Sequence, residues 1–172
     1  MNLKADERRK KIIDILLLKN EPVSGSSLAK ELNVSRQVIV QDMAFLRATD
    51  KNILSTSKGY MIFSSLASYN THKRCIKVKH NDFNIRREME IIINCGGKML
   101  DTIVEHDIYG QIAVDLLIEN HNDIDIFLSK KPEQKTLLSL TDGVHYHTIE
   151  AKTEAILDKI ENELKKMEEE ND

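Results

Sequence analysis

The stretch SGSSLAKELNVSRQVIVQDMAFLRATDKNILSTSKGYMI, residues 24–62, decides the reading of the first third of the chain. Ser24 or Ser26 offers a hydroxyl where a helix start needs an acceptor, ahead of a short helix over Ser27–Leu32. Asn33-Val34 suits a tight turn. Ser35 then caps a third helix, Arg36 to about Ala48, whose apolar side carries Val38, Ile39, Met43, Phe45 and Leu46. Ile53-Leu54, a Ser55–Gly59 turn and Tyr60–Ile62 read as a β-hairpin. Upstream, Asp6–Lys19 is an amphipathic helix with Ile12, Ile13, Leu16 and Leu17 at helical spacing, broken by Asn20-Glu21-Pro22.

Three helices and a hairpin make the winged helix-turn-helix layout. The stretch closely resembles the small winged-helix domains at the N-termini of bacterial metabolic repressors. The resemblance implies a DNA-binding domain over residues 1–66 whose third helix enters the major groove. Ser35, Arg36, Gln37 and Gln41 are then the candidates at base edges, because arginine pairs with guanine and glutamine with adenine. Arg47 and Lys58 are expected on phosphates, which position without specifying. Charge agrees: residues 1–63 carry 11 Lys/Arg against 7 Asp/Glu, although the whole chain is −3. A basic first third on an acidic remainder suits a polyanion at one end only. The competing use of such a fold is protein contact without DNA.

At 172 residues the chain can bury one large or two small cores, and 31% charged against 41% hydrophobic residues argues against wholesale disorder. No apolar run approaches the roughly 20 residues of a membrane span, so no membrane partner is expected. The first ten residues lack a signal peptide's apolar core. Cys75 and Cys95 show no metal or redox spacing. A cytoplasmic protein with reduced thiols is the expectation.

Beyond a polar linker at Ser64–His72, the pattern alternates over residues 72–172. Strands are expected at Arg74–His80, Met99–Val104, Gln111–Ile118 and Val144–Ile149. Helices are expected at Asn84–Cys95, ended by Gly96-Gly97, at Asn122–Ser129, closed before Pro132, and at Lys152–Met167. The order βαββαβ plus a helix gives an α+β fold class, an α/β sandwich read as ferredoxin-like. In segment 143–149, GVHYHTI, His145 and His147 project on one side of a strand, where two imidazoles suit a transition metal. Two ordinary strand histidines would look the same. A ferredoxin-like sheet makes the first and last strands neighbours, bringing His80 to His145 and His147, with Glu88 reaching back from the helix. Under the same topology His106 is expected at the opposite end.

Residues 73–168 resemble the three-histidine (3H) domain, through KVKH ending at His80, HDIYG at 106–110 and GVHYHTIEA at 143–151. A 3H domain behind a winged helix is similar to the niacin-responsive repressors of NAD metabolism. That resemblance implies a divalent metal, nickel or zinc, on His80, Glu88, His145 and His147, with nicotinic acid as corepressor. The family's histidine-proline turn reads His106-Asp107 here. Arg86 and Arg87 are either a solvated helix face or a clamp for the nicotinate carboxylate; Tyr109 either stacks on the pyridine or packs. His72 and His121 are expected to face solvent. The implied function is a repressor of NAD biosynthesis and niacin uptake genes, not an enzyme, binding operator DNA as a homodimer. The stripe Ile156, Ile160, Leu164, Met167 serves the dimer or the core. A metal-responsive regulator and a metalloenzyme with a docking winged helix are the alternatives.

Overall fold

The computed structural model describes residues 4–19, 21–49, 52–62, 71–130 and 135–170. The chain divides into two compact units, Met1–Ala67 and Ser68–Asp172. Most of the expected linker and Pro132 lie outside the described residues.

In the first unit, α1 (Ala5–Lys19), α2 (Gly25–Glu31) and α3 (Arg36–Thr49) precede a hairpin of β1 (Ile53–Thr56) and β2 (Gly59–Ile62). Of the two candidate caps, Ser24 is the one used: its Oγ accepts from Ser27 N at 3.0 Å. Asn33, at φ 53°, turns the chain in the left-handed region asparagine tolerates. Ser35 Oγ then accepts from Val38 N at 3.3 Å to start α3. Ile12, Leu16, Leu28, Ile39, Met43 and Ile53 share one buried core. The wing turn closes on Thr56, whose Oγ1 accepts from Lys58 N and Gly59 N, both at 3.2 Å. Gly59 has φ +141°, and a Cβ there would lie 2.4 Å from Val23 O, so only glycine fits.

The expected apolar side of α3 needs correction. Phe45 is half exposed, with the Arg9 guanidinium 3.9 Å from its ring centroid. Its turn angle from Ile39 carries it off the buried face. Asp42 is buried instead, bonded to Arg8 Nε at 2.5 Å and Arg9 Nε at 3.0 Å. This two-arginine pairing ties α1 to α3 and satisfies a carboxylate that would otherwise be costly to bury.

The second unit runs β3 (His72–Lys79), a 3₁₀ turn (Asp82–Asn84), α4 (Ile85–Asn94), β4 (Lys98–His106), β5 (Gly110–Ile118), α5 (His121–Ser129), a 3₁₀ turn (Leu137–Leu140), β6 (Val144–Ala151) and α6 (Glu154–Glu169). The helix α4 stops in a Schellman turn: Gly97 N donates to Ile92 O, Gly96 N to Ile93 O, and Gly96 holds φ +94°. Asn120, not Asn122, caps α5 by accepting from Asp123 N at 3.1 Å.

The fold is α+β, but the ferredoxin-like strand order is overturned. Such a sheet centres its first and third strands; here the order is β3-β6-β4-β5, antiparallel throughout. The last strand is central, as its strict alternation of buried and half-buried residues fits. Lysine-rich β3 takes an edge, where charge blunts unwanted pairing. One core holds Ile76, Met99, Ile118 and Ile149 of the strands with Met89 and Ile92 of α4. From α6, Leu157, Ile160, Leu164 and Met167 join it, so that stripe serves the core.

Candidate metal centre and nucleic-acid interface

The antiparallel pairing of β3 with β6 sets Val78 opposite His145 and Ile76 opposite His147, so His80 follows directly at that strand end. Helix α4 presents Ile85, Glu88, Met89 and Ile92 to the sheet, a helical stripe with one carboxylate in it. His80, Glu88, His145 and His147 are all buried. Glu88 Oε2 lies 3.0 Å from His80 Nε2, and Oε1 lies 3.2 Å from His145 Nε2 and 2.9 Å from His147 Nε2. Ligand atoms of His80, Glu88 and His145 fall within 4.8 Å of one another, and His147 joins through Glu88.

Each ring is oriented from behind by a backbone carbonyl. Asn81 O accepts from His80 Nδ1 at 2.7 Å, Gly143 O from His145 Nδ1 at 2.8 Å, and Asp101 O from His147 Nδ1 at 2.6 Å. With a proton committed at every Nδ1, neutral rings turn three Nε2 lone pairs toward one carboxylate. Protonating all three would bury three imidazoliums against a single negative charge. The Nε2 atoms of His80 and His147 are buried without a well-angled hydrogen bond. A divalent cation among three imidazoles and a carboxylate would resolve this arrangement. The donor set fits such an ion, and the backing carbonyls are the usual support of ligating histidines. Burial opposes charge at Glu88, His80 and His147. Even so, the imidazoles of His147, His145 and His80 hold the Glu88 carboxyl well below its usual range, and Glu88 pulls His80 and His147 upward.

Other expected site residues fall elsewhere. His106 is not at the opposite end: β3 and β4 both run antiparallel to the β6 between them, so both finish at the same end. Its Nδ1 accepts from Ile108 N at 3.1 Å, bracing the β4–β5 turn. Tyr109 is exposed there, its ring 4.9 Å from that of His106. Arg86 and Arg87 leave α4 on faces other than that of Glu88. Arg86 pairs with Asp125 at 2.9 Å and Glu90 at 3.4 Å, and Arg87 with Glu170. Both guanidiniums are about half exposed, with these carboxylates already opposite them. A cleft of about 390 Å³ adjoins His80, its lining including Lys79, Leu138 and Ser139 beside Asp82, Asp142 and Glu168. Residue types alone hid the carbonyls of Asn81, Asp101 and Gly143, because any residue supplies one.

On α3, Ser35, Arg36, Gln37 and Gln41 are exposed, with Ser35 also used as the cap. Arg47 is exposed, but its Nε donates to Ile53 O at 3.3 Å, so it also holds the wing to α3. Lys58 is half-buried in the wing turn. No described helix is long and apolar enough to cross a membrane.

Known proteins agree with both units. Residues 8–61 match an HTH domain family and residues 73–169 the 3H domain family. The chain is 42% identical over 162 residues to the probable transcription repressor NiaR of Thermotoga maritima, covering 93% of this chain and 91% of that one. It is 32% identical over 162 residues to the transcription repressor NadR of Bacillus subtilis, covering 92% and 90%. The chain therefore belongs to the niacin-responsive repressor family, and is a DNA-binding transcription repressor rather than an enzyme.

Proposed function

We propose that this repressor holds one divalent transition metal, nickel or zinc, on His80, Glu88, His145 and His147, and that nicotinic acid is its corepressor at operators of NAD biosynthesis and niacin uptake genes. The observation that carries the metal is the set of three carbonyl-backed imidazoles facing one buried carboxylate. The metal supplies positive charge that the protein itself lacks there, and the three rings and Glu88 hold it. Family membership supports the corepressor reading. Nicotinate binding that favours the DNA-competent state is reciprocally tightened by operator DNA.

A second reading has an observation of its own. The side chains of His80 and His145 are 0% exposed and those of Glu88 and His147 2%, an enclosure that suits the metal itself as effector. Operator titrations with metal-loaded protein separate the two. Nicotinate should tighten operator binding, and nicotinamide at equal concentration should not. Losing a charge-assisted partner costs about 1.5–3 kcal/mol, so discrimination of about tenfold or more is expected. Equal responses to both, or a full nicotinate response without metal, would defeat the corepressor reading. A response to metal alone would establish the second.

A further inference from the structure

The outward face of α3 holds a side chain that hydrogen bonding to bases does not account for. Ile39, Met43 and Leu46 turn into the core of the first unit, and Asp42 is tied to Arg8 and Arg9 of α1. The roll of the helix about its own axis is therefore set. At about 100° per residue, the arc left outward carries Arg36, Gln37, Val40, Gln41, Ala44 and Arg47, all exposed. Val40 sits in the middle of it, one turn beyond Arg36 and Gln37 and one turn before Ala44. It is 45% exposed. A β-branched residue there lowers helix propensity and adds little to the core. The arc also holds two arginines and no carboxylate, because the only acidic residue of α3, Asp42, faces α1. Such a surface suits a nucleic acid.

We infer that Val40 is a specificity-determining residue, whose isopropyl group packs on the 5-methyl group of a thymine in the major groove of the operator. That methyl is the apolar mark by which the groove displays a thymine, and its position separates T·A from A·T as well as from G·C. Ala44 has no side chain beyond its Cβ, so the helix can come close enough for a short side chain to reach the base. Arg36 and Gln37, on the preceding turn, then meet neighbouring base edges. The contact rests on α3 being the helix that enters the groove. Metal and nicotinate alter how much of the chain binds DNA, not which base Val40 meets.

Replacing thymine by deoxyuridine tests this, because the exchange keeps every hydrogen bond and removes only the methyl. The probes are duplexes selected by the full chain from a random-sequence library, with nickel and nicotinate at fixed concentration throughout. Each thymine is replaced singly. At one position the replacement should weaken binding by the native chain about fourfold, the worth of one buried methyl group. For Val40→Ala the same replacement should have no further effect, while every other thymine behaves as it does for the native chain. Alanine is the better helix former at this exposed position, so the variant should fold, as a melting curve would verify. A native chain that tolerates deoxyuridine everywhere, or a Val40→Ala variant with native sensitivity at every thymine, would overturn the proposal. Gln37→Ala shows which premise failed. If it relaxes sequence preference while Val40→Ala keeps native sensitivity, this contact alone is wrong. If neither variant alters selectivity, α3 does not read the groove, and the contact falls with it.

Discussion

The His–Glu cluster and the reading face of α3 stand at opposite extremes of preorganisation. Around Glu88, every ring orientation is set by a carbonyl behind it and by the burial of all four side chains. On α3, Arg36, Gln37 and Gln41 are exposed, and their final positions belong to whatever they meet. The cost of ordering is met during folding at the first site and during binding at the second. Substitutions at the cluster should therefore act in an all-or-none manner. Those on α3 should act in increments.

The largest effect expected is loss of metal. The paired change His145→Ala with His147→Ala should take the metal content from one ion per chain to none, and Glu88→Ala should weaken binding strongly. His106→Ala should retain the ion, because Nδ1 of His106 is engaged in its own turn. Elemental analysis of the purified variants decides; metal lost from the His106 variant and kept in the His145/His147 variant would reverse the ligand set. Protons compete with the ion for the same lone pairs. Because Glu88 raises His80 and His147, that competition should begin above the usual imidazole value of about 6.5 and strengthen as pH falls. Metal affinity that is flat from pH 8 to 6 would contradict it.

On α3, Gln37→Ala should lose about 1–3 kcal/mol of discrimination between operator and random DNA. Lys58→Ala should weaken all sequences alike and flatten the salt dependence by about one unit. Arg47→Ala should do the same and also lower thermal stability, because Arg47 bonds to Ile53 O. Titrations at several salt concentrations, with a melting curve for each variant, separate these outcomes. If none of the three altered affinity or selectivity, the DNA face would lie elsewhere.

How far the two sites were legible in the sequence follows from the same contrast. Strand alternation puts His145 and His147 on one face, and the stripe Ile85, Glu88, Met89, Ile92 turns that carboxylate inward. Asp42, between Ile39 and Met43, carries the same signal of a carboxylate at core spacing. Strand order was not legible, since βαββαβ permits either the first or the last strand at the centre. Nor were the long-range partners of Arg86 and Arg87: Asp125 and Glu170 lie 39 and 83 residues away. The register shift of β4 between Met99 and Asp101, near the carbonyl that backs His147, is a feature of backbone pairing rather than residue type.

That irregular strand permits a finer test of preorganisation. Thr102 Oγ1 lies 3.2 Å from His147 Nδ1, beside the stronger contact to Asp101 O. Thr102→Val keeps the shape and removes the hydroxyl. Loss of outer partners costs about 10–100-fold in metal affinity, and a secondary one should fall at or below the low end. Competition against a chelator measures this. A loss as large as that from Glu88→Ala would mean that Asp101 O does not hold the ring.

The smallest effect lies at the start of β3, where nothing is preorganised by burial. Arg74 reaches Glu154 at 2.7 Å, Asp158 at 2.8 Å and Glu161 at 3.0 Å, tying that strand to α6. Hydrogen bonds from Arg74, with His72 adding to it, hold the Glu154 carboxyl below its usual value; Lys165 and Arg74 do the same for Glu161. A carboxyl depressed in the folded state stabilises above its unfolded value of about 4.3, and that contribution fades as pH falls through the folded value. Arg74→Gln should therefore lower the denaturation midpoint slightly at pH 7, and the gap should close on acidification. Because Glu154 and Asp158 are exposed and Arg74 and Glu161 only half-buried, added salt should close it too. A gap that persists at pH 3 and in molar salt would show that Arg74 acts through the packing of its hydrocarbon stem instead.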